Sequence, residues 1–362
     1  MGQLAKQPEG VFVAPAARDL AVLARQLEQW LAPRLPGAAD LRVEGLTYPR
    51  GAGQSHETIL FAAVYAQDGR ERRDGLVVRI KPTSFNVFLD DMFVEQYRLI
   101  KAVWEAGCTP VAEPLWFEED PGLLGAPFFV MRKVVGRVAV SIPSYMETGW
   151  VVDATVEQRE RLWRNGMRAL ASVQRVPLAS VQFLARPEAG DGFEQEWDRW
   201  RRYLEYVQRP RPLPTYVSAW KRLDEARPVN RPPGLVWGDA RLGNMIVGDD
   251  FQILAVIDWE QPSLGGALQD LGWCLNIERA KIEALGHNLP GLGSREEMIA
   301  LWHEETGIST ADIDWYEAFA SFKTSCLGLH MMDMRGQSPP GGDYGSMSMN
   351  QSTHRLLDRM GA

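Results

Sequence analysis

The first clear pattern of apolar positions along the chain is helical. Residues 17–32 place four leucines and Trp30 on one face at three- and four-residue spacing, which predicts an amphipathic helix. Alternating apolar segments follow and predict strands at 41–48, 57–66, 75–80, 111–119 and 127–135. Since a helical pattern at 87–106 interrupts them, we expect a five-stranded antiparallel sheet that carries one helix.

Two connections between these strands are distinctive. The segment PRGAGQSH between the first two strands is a glycine-rich turn, and QDGRERRDG between the second and third is strongly polar. Glycine and short polar residues favour turns. The sequence therefore predicts a glycine-rich loop followed by a long polar turn.

The pattern becomes mostly helical after Glu157. Helical periodicity predicts helices at 157–174, 193–208, 267–284, 295–305 and 311–335, then a loop at 339–350 and a short last helix. Residues 234–260 interrupt this run with two apolar strand-like pieces. The fold class is thus α+β with two lobes, an N-terminal lobe over 1–133 and a mainly helical C-terminal lobe over 134–362.

Composition narrows the class of protein. The chain has 362 residues, 45% hydrophobic and 24% charged, with a formal net charge of −8. These values fit a globular protein and exclude a disordered chain and a basic nucleic-acid binder, so no nucleic-acid partner is expected. The length supports two lobes. Oligomeric state is not readable from the sequence.

Targeting signals and cysteine usage suggest a cytoplasmic protein. The three cysteines, Cys108, Cys274 and Cys326, are far apart and form no CxxC pair, which favours reduced thiols. The first residues lack the apolar region of a secretory signal. Since no stretch approaches 18 uninterrupted apolar residues, no membrane partner is expected.

The most informative residues are Asp239, Asn244 and Asp258. Their spacing is Asp-x4-Asn, then two apolar strand-like pieces, then an Asp that closes the second piece in IDWE. Phosphoryl transfer needs a carboxylate to orient the attacking hydroxyl, and an amide oxygen and a second carboxylate to hold Mg²⁺. Asp and Asn often fill turns as caps, but the paired strands and the terminal Asp make this arrangement more specific.

A phosphotransferase also needs residues that bind the nucleotide phosphates, and the sequence before Asp239 offers candidates for them in order. Backbone amides of the glycine-rich turn, at Gly51, Gly53 and Ser55, could cover phosphates, although a glycine-rich segment is more often only a turn. A strand cation is then expected, and Arg79 and Lys81 face the same side of their strand, so the pattern does not choose between them. Its partner on the following helix is Glu95, although a surface pair is an equally good interpretation.

At this point the sequence resembles the aminoglycoside phosphotransferase and choline kinase-like family, which has the bilobal protein-kinase-like fold. The segment LVWGDARLGNMIV followed by LAVIDWE is similar to the family's catalytic-loop and metal-binding motifs. ETILF, LVVRIKP, VEQYRLIKAV, PFFVMRKVVG and DLGWCL also occur in family order. The resemblance covers about residues 35–335 and is strongest to kinase-like domains fused to, or encoded near, acyl-CoA dehydrogenases.

The resemblance implies roles for individual residues. Asp239 would be the catalytic base, and Asn244 and Asp258 would bind Mg²⁺. Arg79 would replace the family's strand lysine on the nucleotide phosphates, with Glu95 as its helix partner.

The segment from Met131 through Lys133 to Val134 would form the hinge beside the adenine. ATP is the implied nucleotide, with GTP as an alternative.

Two residues depart from the family pattern. Trp237 stands two residues before the base, where the family usually has His, and Arg79 stands where it has Lys. Trp offers one N–H donor on a large apolar body, and Arg does not reproduce lysine geometry. These departures support an alternative, a kinase-like pseudoenzyme or nucleotide-binding regulator, whereas the retained Asp239, Asn244 and Asp258 argue against it.

The predicted function is an ATP- and Mg²⁺-dependent O-phosphotransferase acting on a hydroxyl of a small molecule. Two acceptor classes stay open, an aminoglycoside-like cationic sugar and a hydroxyacyl-CoA thioester. Residues 199–231 hold nine basic residues against three acidic ones, which suits an anionic acceptor such as CoA. A solvated basic helix face explains the same excess.

Overall fold

The computed structural model describes residues 18–49, 57–82, 87–336 and 348–362, and the chain divides into two compact units. The first unit takes its residues from the chain up to Phe88 and from Glu113–Lys133, and the second comprises Leu89–Ala112 and Val134–Ala362. The α+β, two-lobed fold class expected from the sequence is confirmed.

The first unit contains helix α1 (Leu20–Leu31) and a five-stranded antiparallel sheet. Its strands are β1 (Ala39–Thr47), β2 (Glu57–Gln67), β3 (Arg70–Ile80), β4 (Pro114–Glu118) and β5 (Phe128–Arg132). They are ordered β1-β2-β3-β5-β4, and every neighbouring pair is antiparallel. The predicted sheet therefore forms as expected.

The polar turn between β2 and β3 is shorter than predicted. The strands pair continuously from Gln67 opposite Arg70 to Glu57 opposite Ile80, so only Asp68 and Gly69 connect them. Both residues have positive φ, 52° and 72°, as a two-residue type I′ hairpin turn requires. The charged residues after the turn are exposed, so their polarity reflects a solvated end of the hairpin.

The core of the first unit lies between α1 and one face of the sheet. Leu23, Leu27 and Leu31 of the helix are buried with strand residues such as Ile59 and Val78. This packing uses the apolar stripe that the sequence predicted for the helix. It holds β3, the strand that carries Arg79, in the middle of the sheet.

The second unit is mainly helical. Its helices are α2 (Phe93–Ala106), α3 (Trp150–Asp153), α4 (Val156–Ser172), α5 (Gly192–Gln208), α6 (Pro214–Glu225), α7 (Leu268–Leu285), α8 (Arg295–Thr306), α9 (Ile313–Met334) and α10 (Ser348–Met360). A small antiparallel sheet contains β6 (Arg137–Val138), β7 (Met245–Val247) and β8 (Ile253–Val256), in that order. None of the helices in the described ranges combines the length and apolarity that crossing a bilayer requires.

Two helices differ from the prediction. The helix expected over 87–106 begins only at Phe93, and Asp90 just before it is bound by arginines of the second unit, Arg186 and Arg202. Helix α6 was not predicted, because the prolines around it looked incompatible with a helix. Pro214 occupies its first turn, where proline's missing N–H has no helical partner to lose.

Helices α7 and α9 approach each other closely at Gly272. A Cβ built on Gly272 would lie 2.6 Å from the backbone carbon of Tyr316 on α9. Gly166 in the middle of α4 is different, because its Cβ would meet only Leu242 and Met245 side chains at 3.4 and 3.5 Å. One helical glycine is therefore required by packing, and the other is not.

Substitution of these two glycines should have opposite effects on stability. Gly272→Ala should lower the free energy of unfolding by about 1–3 kcal/mol, because the new methyl group meets backbone that cannot move aside. Gly166→Ala should raise it by up to about 1 kcal/mol, since alanine is the better helix former. Urea denaturation of the two variants beside the unsubstituted protein checks both signs. A stable Gly272→Ala variant would contradict the close packing of α7 and α9.

Candidate active site

The candidate site is built on the loop and hairpin between Val236 and Asp258. Val236 begins the loop and exchanges backbone hydrogen bonds with Ser263 at 2.8 and 3.4 Å. A short 3-10 turn then covers Leu242–Asn244 and leads directly into β7. The two apolar pieces seen in the sequence are β7 and β8, which pair as a hairpin.

The carboxylate of Asp239 receives hydrogen bonds at both oxygens. Oδ1 accepts from the indole Nε1 of Trp273 at 2.9 Å. Oδ2 accepts from Arg241 Nε at 2.9 Å and from Asn244 Nδ2 at 2.7 Å. These donors fix the orientation of the carboxylate, and its side chain keeps 29% of its surface exposed, so it remains accessible to a reacting group.

Asn244 directly precedes β7 and Asp258 follows the end of β8 by two residues, so both lie at the same end of the hairpin. Met245 is opposite Val256 in the pairing of β7 and β8, and Ile257 N donates to Asn244 O at 2.9 Å. The Asn244 Nδ2 atom also donates to the backbone oxygen of Asp239 at 3.0 Å. Because the amide nitrogen is engaged by Asp239, the amide oxygen Oδ1 is directed elsewhere and can serve as a ligand.

The backbone before Asp239 is held by a buried carboxylate. Asp270, in the first turn of α7, accepts from Trp237 N at 2.6 Å and from Gly238 N at 2.9 Å. Gly238 has φ of 107°, and a Cβ there would lie 2.5 Å from Gln261 Cβ, so glycine is required. Burial raises the pKa of Asp270 to about 6, and the hydrogen bonds from the two amide donors oppose that rise.

Trp237, the first departure from the family pattern, is completely buried. Its indole Nε1 donates to Ile257 O at 2.9 Å, and its ring lies 5.8 Å from that of Trp259. The side chain therefore links the start of the loop to the residue before Asp258. A hydrogen bond from the indole supports the loop at this position.

The predicted nucleotide residues of the first unit lie on β3 and β5. Arg79 is buried within β3, opposite Phe129 of β5, whereas Lys81 follows the end of the strand. Met131 lies in β5, and Lys133 just after it donates its backbone N–H to Gly75 O at 2.9 Å. Their contact with a nucleotide stays a prediction.

Other predicted nucleotide residues are located as follows. Gly51, Gly53 and Ser55 lie outside the described residues. Glu95 lies in the first turn of α2, in the second unit, whereas Arg79 belongs to the first. The pairing of Arg79 with Glu95 therefore also stays a prediction.

The basic segment 199–231 is largely neutralised by carboxylates. Within the described residues, each of its basic side chains except Arg209 forms an ion pair with Asp or Glu, and the Arg209 guanidinium lies over the Tyr206 ring. Several partners are distant in sequence, such as Asp90 and Asp333. The local excess of positive charge in the sequence is therefore not an open anion-binding surface.

Two contacts of the site were not predicted from the sequence. Arg241 bridges Asp239 and Ser141, since its Nη1 donates to Ser141 Oγ at 2.6 Å. The sequence shows that Arg241 follows Asp239 by two residues, but it does not show which groups the guanidinium contacts. Trp273 lies within the DLGWCL segment, and its hydrogen bond to Asp239 depends on how α7 packs.

Comparison with known proteins identifies the family. The model of the phosphotransferase enzyme family matches residues 56–295, which is more than half of the chain and includes Asp239, Asn244 and Asp258. The chain belongs to the phosphotransferase enzyme family.

Curated relatives match along most of the chain. Acyl-CoA dehydrogenase family member 11 of Homo sapiens is 26% identical over 317 residues, 83% of this chain and 38% of its own length. Acyl-CoA dehydrogenase family member 10 of Mus musculus is 23% identical over 352 residues, 90% of this chain and 30% of its own length. The chain thus spans well under half of each relative.

Solved structures share the phosphotransferase fold. A candidate aminoglycoside phosphotransferase from Ralstonia eutropha JMP134 has a TM-score of 0.67 at 21% identity, covering 92% of this chain and 98% of that one. Aminoglycoside phosphotransferase APH(4)-Ia, in a ternary complex with ADP and hygromycin B, has a TM-score of 0.58 at 14% identity, covering 93% and 99%. A choline kinase from Streptococcus pneumoniae has a TM-score of 0.51 at 13% identity, covering 92% and 98%.

Removal of one acceptor oxygen from Asp270 should loosen the loop that carries Asp239. Asp270→Asn places an amide NH₂ against one of the two backbone N–H donors, so about 1–3 kcal/mol of stability should be lost at pH 7. Urea denaturation measures the loss. The control is Asp249→Asn, a fully exposed carboxylate, which should leave the denaturation midpoint unchanged. Equal midpoints for the two variants would contradict the role of Asp270.

Proposed function

We propose that this protein is an ATP- and Mg²⁺-dependent O-phosphotransferase that phosphorylates a hydroxyl group of a small molecule. The observation that carries the proposal is the Asp239 carboxylate, held by three donors and hydrogen-bonded to Asn244. Family membership supports phosphotransfer to a small molecule. The choice of an alcohol acceptor, ATP and Mg²⁺ is part of the proposal.

In this reaction Asp239 acts on the acceptor hydroxyl. Its carboxylate orients the hydroxyl and accepts the proton as the oxygen attacks the γ-phosphorus of ATP. The bond from the γ-phosphorus to the β–γ bridging oxygen breaks, and ADP leaves with the electron pair. The exposed part of the Asp239 side chain gives the hydroxyl access to the carboxylate.

The donors at Asn244 and Asp258 fit Mg²⁺. An amide oxygen and a carboxylate are the hard oxygen ligands that Mg²⁺ accepts, usually with waters and nucleotide phosphates completing the octahedron. Asn244 gives its amide nitrogen to Asp239 at 2.7 Å, which favours the oxygen as the ligand atom. Bound Mg²⁺ would neutralise charge on the phosphates.

The proposal for the nucleotide rests on Arg79, Glu95 and the segment that follows Phe129. Arg79 would contact the phosphates, with Glu95 as its partner, and the backbone from Met131 to Lys133 would lie beside the adenine. The neighbouring structure of APH(4)-Ia is a complex with ADP, which supports a nucleotide ligand of this type. GTP is retained as an alternative.

Two acceptor classes follow from different observations. The curated relatives are named as acyl-CoA dehydrogenase family members, which favours a hydroxyacyl thioester of CoA. APH(4)-Ia is a complex with hygromycin B, which favours an aminoglycoside-like sugar. The arginines of 199–231 are paired with carboxylates, which removes one argument for CoA. A coupled ADP-release screen of hydroxyacyl-CoA thioesters and aminoglycosides should show which class is phosphorylated.

The alternative function is a kinase-like pseudoenzyme or nucleotide-binding regulator. Its support was the two departures Trp237 and Arg79, but the Trp237 indole donates a hydrogen bond to Ile257 O and so holds the loop.

We also propose a cytoplasmic location, in keeping with three cysteines that are all free thiols.

Replacement of Asp239 should separate catalysis from nucleotide binding. Asp239→Asn should lower ADP release to the background rate, since the amide cannot accept the hydroxyl proton, while the Kd for Mg·ATP by calorimetry stays within about twofold. Asp249→Asn, exposed on the loop after β7, should behave as the unsubstituted protein. Undiminished turnover in Asp239→Asn would rule out this mechanism.

Replacement of Arg79 should weaken nucleotide binding. Arg79→Met should raise the Kd for Mg·ATP about tenfold or more, because a charge-assisted contact to phosphate is lost. Arg73→Met on the same strand, whose exposed side chain pairs with Glu44, is the matched control and should leave the Kd unchanged. If both variants bind Mg·ATP equally well, Arg79 is not the phosphate cation.

A further inference from the structure

The second unit buries a charged pair beneath the catalytic loop. Lys323 of α9 and Glu196 of α5 are each 4% exposed, and their Nζ and Oε1 atoms are 3.4 Å apart. Lys323 Nζ also donates to Gln269 Oε1 at 3.0 Å. Burial opposes ionisation of both groups and lowers the pKa of Lys323, whereas Lys323 and Arg199 lower the pKa of Glu196.

A buried pair of this kind is a costly way to stabilise a fold. Removing two charges from water costs about as much as their attraction returns, and well-packed apolar side chains often do as well. Strongly perturbed buried groups concentrate near functional sites. The surroundings of Lys323 are therefore candidates for a functional role.

The Lys323 ammonium lies among the faces of three aromatic rings. Its Nζ is 4.9 Å from the ring centroid of Phe319, 5.5 Å from that of Trp273 and 5.6 Å from that of Trp200. Glu196 also accepts from Trp200 Nε1 at 2.9 Å. A cation over an indole face is attracted to the ring and restricts its position.

The indole N–H of Trp273 contacts the proposed base. Its Nε1 donates to Asp239 Oδ1 at 2.9 Å, and the side chain is almost completely buried. The other oxygen of Asp239 is bound by residues of its own loop, Arg241 and Asn244. Trp273 supplies the hydrogen bond that comes to this carboxylate from a different element, helix α7.

We propose that Trp273 is a positioning residue, whose indole N–H holds the Asp239 carboxylate in its reactive orientation while the buried Lys323–Glu196 pair holds the indole. This inference rests on the proposed function, since it assigns Trp273 a role in the same reaction. The physical reason is that a displacement of about 1 Å at a reacting group costs on the order of a hundredfold in rate.

The hydrogen bond between Trp273 and Asp239 can be tested by NMR, without measuring enzyme activity. In protein labelled with ¹⁵N at tryptophan, the Trp273 indole resonance is the one of thirteen that disappears in Trp273→Phe. We expect this resonance to shift in Asp239→Asn, because its acceptor changes from a carboxylate to an amide, and to stay in place in Asp249→Asn. A resonance that does not respond to Asp239→Asn overturns the proposal.

The effect on rate is measured with Mg·ATP as substrate and water as phosphoryl acceptor, by ADP release. Trp273→Phe should lower kcat about ten- to a hundredfold, as expected for a misplaced base, with the KM for Mg·ATP within twofold of the unsubstituted value. Trp315→Phe is the matched control, since Trp315 is a buried tryptophan on α9 that donates to the backbone oxygen of Leu223. It should leave both constants unchanged.

A second variant separates the hydrogen bond from packing. Replacing Trp273 by 3-benzothienylalanine exchanges the indole N–H for sulfur and keeps the bicyclic ring. The proposal expects the same loss of kcat in this variant as in Trp273→Phe. Normal kcat with benzothienylalanine would show that Trp273 only fills space, and would overturn the proposal even if Trp273→Phe fails to fold.

The two proposals fail in different ways. If Asp239→Asn is inactive while both Trp273 variants turn over normally, the positioning role is wrong and the phosphotransferase function stands. If Asp239→Asn hydrolyses Mg·ATP as fast as the unsubstituted protein, the proposed function fails and the positioning role of Trp273 fails with it. The indole resonance still reports whether Trp273 and Asp239 are bonded.

Discussion

The interaction on which the site depends is the pair of hydrogen bonds from the backbone of Trp237 and Gly238 to Asp270. A carboxylate with two oxygens can satisfy two adjacent amide donors that would otherwise be buried without a partner. Asp270 and Trp273 lie three positions apart on α7, so they share one face of that helix. One helix face thus holds both the backbone before Asp239 and the carboxylate of Asp239.

The geometry of the site therefore depends on where α7 lies, and not on an amphipathic pattern in its sequence. Nearly the whole first half of the helix is buried, and on another side Gly272 lets α9 approach within backbone contact. That close approach also brings Lys323 of α9 over the face of Trp273. Packing between two helices and hydrogen bonding to the loop are consequently parts of one arrangement, and a shift of α7 would disturb both.

The sequence predicted what is local and missed what is not. Asp239, Asn244 and Asp258 could be proposed as site residues because they lie within a span of twenty residues, on one loop and one hairpin. The five-stranded sheet was found because alternation reports a half-buried strand directly. The β2–β3 turn was predicted too long, since charged residues at an exposed hairpin end resemble a loop.

The residues that hold the site gave no such signal. Arg241 lies two residues after Asp239 in the sequence, but only the structure shows its guanidinium between Asp239 and Ser141. Trp273 and Lys323 lie within helical patterns, where a tryptophan is usually an ordinary core residue and a lysine an ordinary surface residue. Their roles arise from contacts across 34 and 127 residues, and periodicity carries no information at that range.

Charge shows the same limit. The basic excess of residues 199–231 suggested an anionic acceptor, but Arg202 is neutralised by Asp90, which lies 112 residues away. At the site itself Arg241 remains a cation, since Asp239 and Asp258 raise its pKa although burial opposes them. One fixed positive charge therefore lies among the carboxylates that would face the phosphates. The composition of a segment cannot identify the acceptor, because tertiary ion pairs decide which charges remain available to a ligand.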